Sequence, residues 1–154
     1  MQNQAGASDP LRVLVVDDIK DNLKVFELAL KTLRKDLGFE IDVSCVDSAE
    51  AGLKMHQERS FDLIMCDERL GGMNGTEFYS EVASAESVTG FVPFVIISAK
   101  ATPKDWLEFY KAGVMDFLPK PITSDRLRFF CRSALRFRAL RQKAFMNSQQ
   151  GEVL

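Results

Sequence analysis

Short apolar runs alternate along the chain with longer segments whose apolar residues recur every three or four positions. Residues 11–16 are rich in β-branched side chains and stop at two acids, which is typical of a strand buried on both faces. The segment that follows carries one apolar stripe and stops at Gly38, which predicts an amphipathic helix. Further strands are predicted at 41–45, 63–66, 92–97 and 114–118, with helices from about Asp47, after Gly75, from Pro103 and from Thr123 or Ser124.

This order predicts the fold class. Five strands alternating with five helices indicate an α/β fold, in which a doubly wound, five-stranded parallel sheet has helices on both faces. Within it, Asp47 and Glu50 have the spacing of a capping box at the start of the second helix. Ligands and reactive groups in such sheets gather at the carboxyl ends of the strands, so the residues that stop each strand become the candidates for chemistry.

Polar side chains follow four of the five predicted strands. Three are carboxylates that would converge at one edge, and carboxylate oxygens suit Mg²⁺, which prefers octahedral oxygen ligands. A carboxylate can also attack phosphorus, and phosphoryl transfer then needs cations and hydrogen-bond donors around the transferred group. The residues concerned are Asp17, Asp18, Asp67, Ser98 and Lys120.

Composition narrows the class of protein further. A chain of 154 residues fits one domain, and 46% hydrophobic with 27% charged residues is ordinary globular usage. The three cysteines are widely spaced and suggest neither a disulfide framework nor a zinc site, which favours a reducing cytosol. No apolar run is long enough for a membrane span, and a net charge of −2 argues against binding nucleic acid or membrane along the whole length.

The strand-end residues and their neighbours resemble the receiver domain of bacterial two-component response regulators, the CheY-like family. The likeness covers roughly Leu11 to Ala139. Any one motif alone is weakly specific, but four occur together in the family's order. They are Val13 to Asp18, the Asp67 to Gly75 segment with Leu70, Met73 and Asn74, the pair Ser98-Ala99, and Ala112 to Pro121 with Asp116, Phe117 and Lys120.

The resemblance implies a flavodoxin-like strand order of 2-1-3-4-5 and a role for each matching residue. Asp67 would accept a phosphoryl group from a histidine kinase, and the Mg²⁺ ligands would be Asp17, Asp18, Asp67 and the backbone carbonyl of Arg69. Ser98 would bind a phosphoryl oxygen and Lys120 would pair with the phosphate. Such a domain catalyses its own phosphorylation and slow hydrolysis but is not an enzyme acting on an external metabolite.

Three positions depart from the family pattern or leave alternatives open. Gly71 stands where a proline is usual, which predicts a more mobile loop. The side chain of Arg69 could screen the phosphate or point outward. Phe117 matches the switch aromatic of the family, which turns inward when the hydroxyl of Ser98 moves toward the phosphate, but it could equally be a simple core residue. The lone His56 is expected on the surface of its short helix.

The signal would leave through the side formed by the fourth helix, fifth strand and fifth helix. Trp106 and Phe109 cannot both face the core if Leu107 and Tyr110 do, which predicts an exposed aromatic patch there. Upstream the expected partner is a histidine kinase or phosphotransfer protein, and downstream a protein partner or output domain. A homodimer is left open.

The last helix has seven basic and no acidic residues between Arg126 and Lys143, so the rest of the chain carries −9. Its arginines could bind an acidic partner, a neighbouring protomer or nucleic acid, or simply be solvated; nucleic acid is disfavoured because no recognition motif follows. Phe130, Phe137 and Ala144 have heptad spacing, which suggests a short seam for a partner.

The chain divides into three parts on these predictions. We expect a disordered tail at 1–10, a receiver domain at 11–139, and a helix extension with a polar tail at 140–154.

Three rival functions are weighed against this one. A phosphatase of the haloacid dehalogenase type requires Asp-x-Asp after its first strand, whereas this chain has the adjacent pair Asp17-Asp18. A flavodoxin-like carrier requires a Ser/Thr-rich loop after that strand, and residues 19–22 do not form one. A receiver-like interaction module that no longer depends on phosphorylation is the remaining alternative, and retention of the acidic, Ser98 and Lys120 positions argues against it.

Overall fold

The structure, a computed structural model, describes residues 9–85, 92–99 and 102–149 and has the predicted alternation of strands and helices. The five strands are parallel and lie in the order β2-β1-β3-β4-β5, which confirms the doubly wound sheet and the strand order that the resemblance implied. In chain order the elements are β1 Leu11–Val16, α1 Lys20–Leu37, β2 Ile41–Val46, α2 Ala49–Glu58, β3 Leu63–Asp67, α3 Gly75–Ala85, β4 Phe94–Ser98, α4 Pro103–Ala112, β5 Asp116–Pro119 and α5 Ser124–Gln149.

The side chains of β1 explain why helices cover both faces of the sheet. Val13 and Val15 point into a core formed with α1 and α5, whereas Leu14 and Val16 point into a second core formed with α2, α3 and α4. Strands β3 and β4 are buried along their whole length. A strand that is apolar on both faces must be covered on both, and this fixes β1, β3 and β4 in the middle of the sheet.

Helix ends follow local sequence signals, with one correction. Gly38 and Gly113 adopt left-handed φ angles of 72° and 97° directly after α1 and α4. However, the residue that caps α2 is Ser48, whose hydroxyl accepts from the backbone N–H of Ala51 at 3.1 Å, so the predicted capping box of Asp47 was wrong. The Glu50 carboxylate instead accepts from the N–H of Met73 at 3.3 Å, in the loop before α3.

Two strands begin later than predicted. β4 starts at Phe94 because the preceding Pro93 has no N–H to donate to a neighbouring strand. β5 starts at Asp116 because the N–H of Val114 is used to close α4, donating to the carbonyl of Phe109 at 3.2 Å.

The last helix is one continuous element of 26 residues. Phe130 is buried against the sheet and is not available to a partner seam, whereas Phe137 and Leu140 are exposed on the continuing helix, so a seam formed there stays a prediction. At the end of the predicted disordered tail, Arg138 donates to the backbone carbonyls of Asp9 and Pro10 at 3.0 and 2.9 Å. Residues 1–8 and 150–154 of the predicted tails lie outside the described residues.

His56 was expected on the surface and is in fact buried. Its ring nitrogen Nδ1 accepts a hydrogen bond of 3.3 Å from the backbone N–H of Phe61, and the two rings stack. The imidazole therefore satisfies a backbone donor in the loop between α2 and β3, which helix periodicity does not predict.

Candidate functional site

Asp17 directly follows β1 and is fully buried. Its Oδ1 accepts from the backbone N–H of Ile19 at 2.9 Å, and its Oδ2 accepts from the side-chain amide of Asn22 at 3.0 Å. These two donors orient the carboxylate at the carboxyl edge of the sheet. Asp18, the next residue, is exposed, so the two adjacent acids have different surroundings.

Asp67 is the last residue of β3 and lies beside Asp17. The ammonium group of Lys120 is 3.1 Å from Oδ1 of Asp67 and 3.8 Å from Oδ2 of Asp17, so one cation faces two carboxylates. Burial raises the pKa of Asp67, and the nearby negative charge of Asp17 acts in the same direction. The hydrogen bond and charge of Lys120 and a hydrogen bond from the backbone of Arg69 oppose these effects without cancelling them. Two carboxylates of the site therefore share one ammonium group.

The three acids named from the sequence come together. One oxygen from each of Asp17, Asp18 and Asp67 lies within 4.8 Å of the others. These are hard carboxylate oxygens on the edge of a polar opening, which is the donor set that Mg²⁺ selects, and their excess negative charge fits a divalent cation. The residues present therefore fit the Mg²⁺ ion that the sequence led us to expect.

Ser98 ends β4 and is buried, but its hydroxyl is directed at a residue that the sequence argument did not single out. The Oγ of Ser98 donates to Oε2 of Glu68 at 2.5 Å. Both side chains line a cavity of about 190 Å³ that also includes Asp67 and Lys120. The strand-end residues are thus gathered as predicted, and Glu68 is added to them.

The side chain of Arg69 is exposed at the mouth of the same cavity. Its positive charge contributes to a lowered pKa of Asp105, in the first turn of α4, although hydrogen bonds from Thr102 are the larger cause. Arg69 thus lines the cavity that contains Asp67 and also faces solvent, and the two roles considered for its side chain both stay predictions.

The loop between the end of β3 and the start of α3 requires a glycine at position 75. A Cβ at this position would lie 3.0 Å from the backbone oxygen of Asp67, closer than nearly all such contacts. The N–H of Gly75 donates to the carbonyl of Glu68 at 3.2 Å, and Asn74 caps α3 by accepting from the N–H of Glu77 at 2.9 Å. The Asn74-Gly75 pair of the motif is therefore explained by close backbone approach and capping.

The aromatic residues near β5 divide between core and surface. The ring of Phe117 is buried, with its centroid 5.1 Å from that of Trp106 and 6.2 Å from that of Phe109. Trp106 is 41% exposed, but Phe109 is only 5% exposed. The expectation that Phe109 belongs to an exposed output face was wrong, because it is the α4 residue that packs into the core; Leu107 and Tyr110 are exposed instead.

Two residues of the site were missed from the sequence. Asn22 lies one helical turn into the segment after Asp17, a position from which an amide can reach back to a strand-end carboxylate. Glu68 is an acid that directly follows Asp67, the last residue of an otherwise apolar strand, which was a visible signal. Its partner Ser98 comes from another strand, and only the sheet pairing brings them together.

Comparison with known proteins decides the family. Residues 13–130 match the family described as "Response regulator receiver domain". This chain is a member of that family. The matched residues include every site residue described above, and the domain belongs to two-component signal transduction rather than to the phosphatase or flavodoxin classes.

Relatives of this receiver domain include larger regulators and sensors. The chain is 36% identical over 132 residues to "Virulence sensor protein BvgS" of Bordetella bronchiseptica, covering 81% of this chain and 10% of that protein. It is 28% identical over 127 residues to "Transcriptional regulatory protein ZraR" of Escherichia coli O157:H7, covering 82% of this chain and 27% of that protein. The chain thus spans about a quarter or less of the length of these relatives.

Solved structures show the same fold. The chemotaxis protein CheY4 of Vibrio cholerae superposes with a TM-score of 0.69 at 24% identity, covering 82% of this chain and 99% of that one. The receiver domain of the sensor histidine kinase PA1611 of Pseudomonas aeruginosa, described with a magnesium ion coordinated in its active site cleft, has a TM-score of 0.69 at 24% identity, covering 82% of this chain and 98% of that one. Across the part of the chain that the structure describes, no helix combines the length and apolarity needed to cross a membrane.

Proposed function

We propose that this receiver domain accepts a phosphoryl group on Asp67 and converts it into a change of its surface. The observation that carries the proposal is the position of Asp67, whose Oδ1 is 3.1 Å from the Lys120 ammonium group and whose carboxylate lies within a cluster of three acids at the sheet edge. A nucleophilic oxygen, a cation and a metal-type oxygen set are the parts that transfer to a carboxylate requires.

The chemistry follows from these positions. A carboxylate oxygen of Asp67 forms a bond to phosphorus, while the bond from phosphorus to the donor nitrogen of a phosphohistidine breaks and its electron pair leaves with the imidazole. Lys120 pairs with a phosphoryl oxygen, and the hydroxyl of Ser98 binds another. Asp17, Asp18, Asp67 and the backbone carbonyl of Arg69 would hold Mg²⁺, which would neutralise charge on the transferred group. Later attack by water on phosphorus regenerates the carboxylate, so the domain turns over no external metabolite.

Phe117 and Trp106 provide a path from this site to the surface. Ser98 and Phe117 lie on the adjacent strands β4 and β5, and the Phe117 ring contacts the partly exposed Trp106. A change in the position of Ser98 therefore reaches α4 through one aromatic contact. We place the output surface on the α4-β5-α5 side, with Trp106 and without Phe109.

The proposed phosphodonor is a histidine kinase or phosphotransfer protein, and the proposed recipient of the signal is a downstream protein or output domain. Relatives named as a sensor and as a transcriptional regulator support both assignments. We place the domain in the cytoplasm and assign it no nucleic-acid ligand of its own. A homodimer through the α4-β5-α5 side is one form in which the signal could be passed on.

Intact mass spectrometry after incubation with acetyl phosphate tests the proposal. We expect the mass to increase by one phosphoryl group in the presence of Mg²⁺ and not in its absence. Asp67→Asn should abolish the gain, and Asp42→Asn, which alters an exposed acid of β2, should retain it. A gain that survives Asp67→Asn would identify another nucleophile, and no gain in any protein would support the phosphorylation-independent interaction module.

A further inference from the structure

Glu68 holds the hydroxyl on which the proposed switch depends. The Oγ of Ser98 donates to Oε2 of Glu68 at 2.5 Å, within the range of short hydrogen bonds to ionised oxygens. Ser98 is 4% exposed, so this bond is largely shielded from water. A hydrogen bond to a charged acceptor in such surroundings is stronger than one between neutral groups.

The same hydroxyl is needed elsewhere once Asp67 is phosphorylated. A hydroxyl has a single proton to donate, so Ser98 cannot give it to Glu68 and to a phosphoryl oxygen at the same time. Glu68, Ser98 and Asp67 line the same cavity, which brings the two acceptors into competition for that proton. The two acceptors are carried by adjacent residues, because Glu68 directly follows the proposed phosphoacceptor Asp67.

We propose that Glu68 is a positioning residue that acts through Ser98, holding its hydroxyl in the unphosphorylated state and releasing it to the phosphoryl group on activation. This inference rests on the proposed function of Asp67 and adds to it the residue that opposes the switch. Phosphorylation displaces Glu68 as acceptor, because the phosphoryl group offers three strong acceptor oxygens and places further negative charge beside the Glu68 carboxylate. Glu68 thereby favours the unphosphorylated state and lowers affinity for the phosphoryl group.

Removing Glu68 has two separable effects, and the chain allows them to be distinguished. One is the loss of a negative charge near an anion, which does not involve Ser98. The other is the release of the Ser98 hydroxyl, which requires Ser98 to be present. A double-mutant cycle between the two positions therefore isolates the hydrogen bond from the charge.

The test measures the affinity for beryllofluoride, a stand-in for the phosphoryl group, in the presence of Mg²⁺. Binding is followed by the fluorescence of Trp106, which is the single tryptophan of the chain and contacts Phe117. Glu68→Ala removes both charge and acceptor, whereas Glu68→Gln removes the charge and keeps an acceptor oxygen. Each is made with Ser98 present and in the Ser98→Ala background, and Glu108→Gln on the exposed side of α4 serves as the charge control.

With Ser98 present, we expect Glu68→Ala to strengthen beryllofluoride binding about tenfold, the scale of one hydrogen bond to a charged group, and Glu68→Gln to strengthen it less. In the Ser98→Ala background the two substitutions should have equal, smaller effects. Equal gains in both backgrounds would overturn the inference and leave only a charge effect. If the unsubstituted domain itself failed to bind beryllofluoride with Mg²⁺, the proposed function would fail first, and the two failures are therefore distinct.

Discussion

The Lys120 ammonium group lies 3.1 Å from Oδ1 of Asp67 and 3.8 Å from Oδ2 of Asp17, so it is closer to Asp67. Among the described residues, Lys120 is the cation whose salt bridges reach both carboxylates. The peptide bond from Lys120 to Pro121 is cis, and Lys120 N–H donates to the carbonyl of Ser98 at 3.0 Å. The ammonium group thus occupies space near the acids that a metal and a phosphoryl group would share.

Lys120→Ala should change the binding of cations and of anions in opposite directions. Without the ammonium group the three acids are less neutralised, so we expect Mg²⁺ to bind several-fold more tightly. Beryllofluoride should bind at least about tenfold more weakly, because a charge-assisted partner of the anion is gone. Isothermal titration with Mg²⁺ and fluorescence titration with beryllofluoride measure the two affinities. Lys111→Ala, at the exposed end of α4, should change neither, and a shift of both affinities in the same direction would contradict this role.

Asp67→Asn should stabilise the domain in the absence of metal, and increasingly so as pH rises. Burial raises the pKa of Asp67 above its ordinary value of 3.8, so the folded protein keeps this proton to a higher pH than the unfolded chain does. Ionisation of Asp67 therefore lowers the free energy of unfolding as pH rises from about 3.8 to the folded pKa, and the cost is constant above it.

Urea unfolding in a chelator, across a pH series from acidic to neutral, measures this effect. We expect the stabilisation by Asp67→Asn to be small at acidic pH and to increase until the pH passes the raised pKa of Asp67 in the folded protein. Asp42→Asn, at an exposed acid, should change stability by less than about 0.5 kcal/mol throughout. A stabilisation that declined with rising pH would show that Lys120 outweighs burial at Asp67.

Asp18→Asn should weaken the response of the domain to Mg²⁺. At Mg²⁺ concentrations about 100 times its dissociation constant, binding to the folded state alone adds about 2.7 kcal/mol to the free energy of unfolding. A tenfold loss of affinity reduces that gain to about 1.4 kcal/mol at the same concentration. Thermal unfolding with and without Mg²⁺ provides the comparison, and Asp21→Asn in the first turn of α1 is the matched control. An equal loss in both variants would mean that Asp18 acts only through net charge.

Phe109 and Trp106 should differ sharply when truncated. Phe109→Ala creates a cavity beside Phe117 and should cost about 3 kcal/mol of stability. Trp106→Ala removes a side chain that is 41% exposed and should cost about 1 kcal/mol. Denaturant unfolding measures both. Comparable losses would indicate that the indole is a core residue and would remove it from the proposed output surface.

The parts of this molecule that the sequence predicted are those governed by repeating physical rules. Apolar runs with buried faces can only be central strands, and the carboxyl ends of parallel strands share an edge, so Asp17, Asp67, Ser98 and Lys120 could be placed together before any coordinates. The metal-type cluster of Asp17, Asp18 and Asp67 follows from the same rule.

The sequence predictions that were wrong concern features that depend on the direction of a single side chain. The apolar residues of α4 are nearly consecutive and give no clear helical stripe, so the burial of Phe109 rather than Leu107 depended on packing against Phe117. His56 was misplaced because its partner is a backbone group beyond its own helix. The bond from Ser98 joins the end of β4 to Glu68, the residue after β3, and depends on side-chain orientation, which no spacing in the sequence specifies.

Asp62 and Arg138 anchor α5 to the beginning of β1, so the part of the helix beyond Arg138 would turn about this pivot point. Asp62 accepts from Arg138 and lies 3.6 Å from Arg141, while Arg138 also holds the chain where it enters β1. From Arg138 to Gln149 the helix continues for about 16 Å at 1.5 Å per residue. A rotation of roughly 10° at the pivot would displace the tip by about 3 Å over that length. Motions at α5 too small to alter the packing of the core would thus be enlarged at the end of the helix.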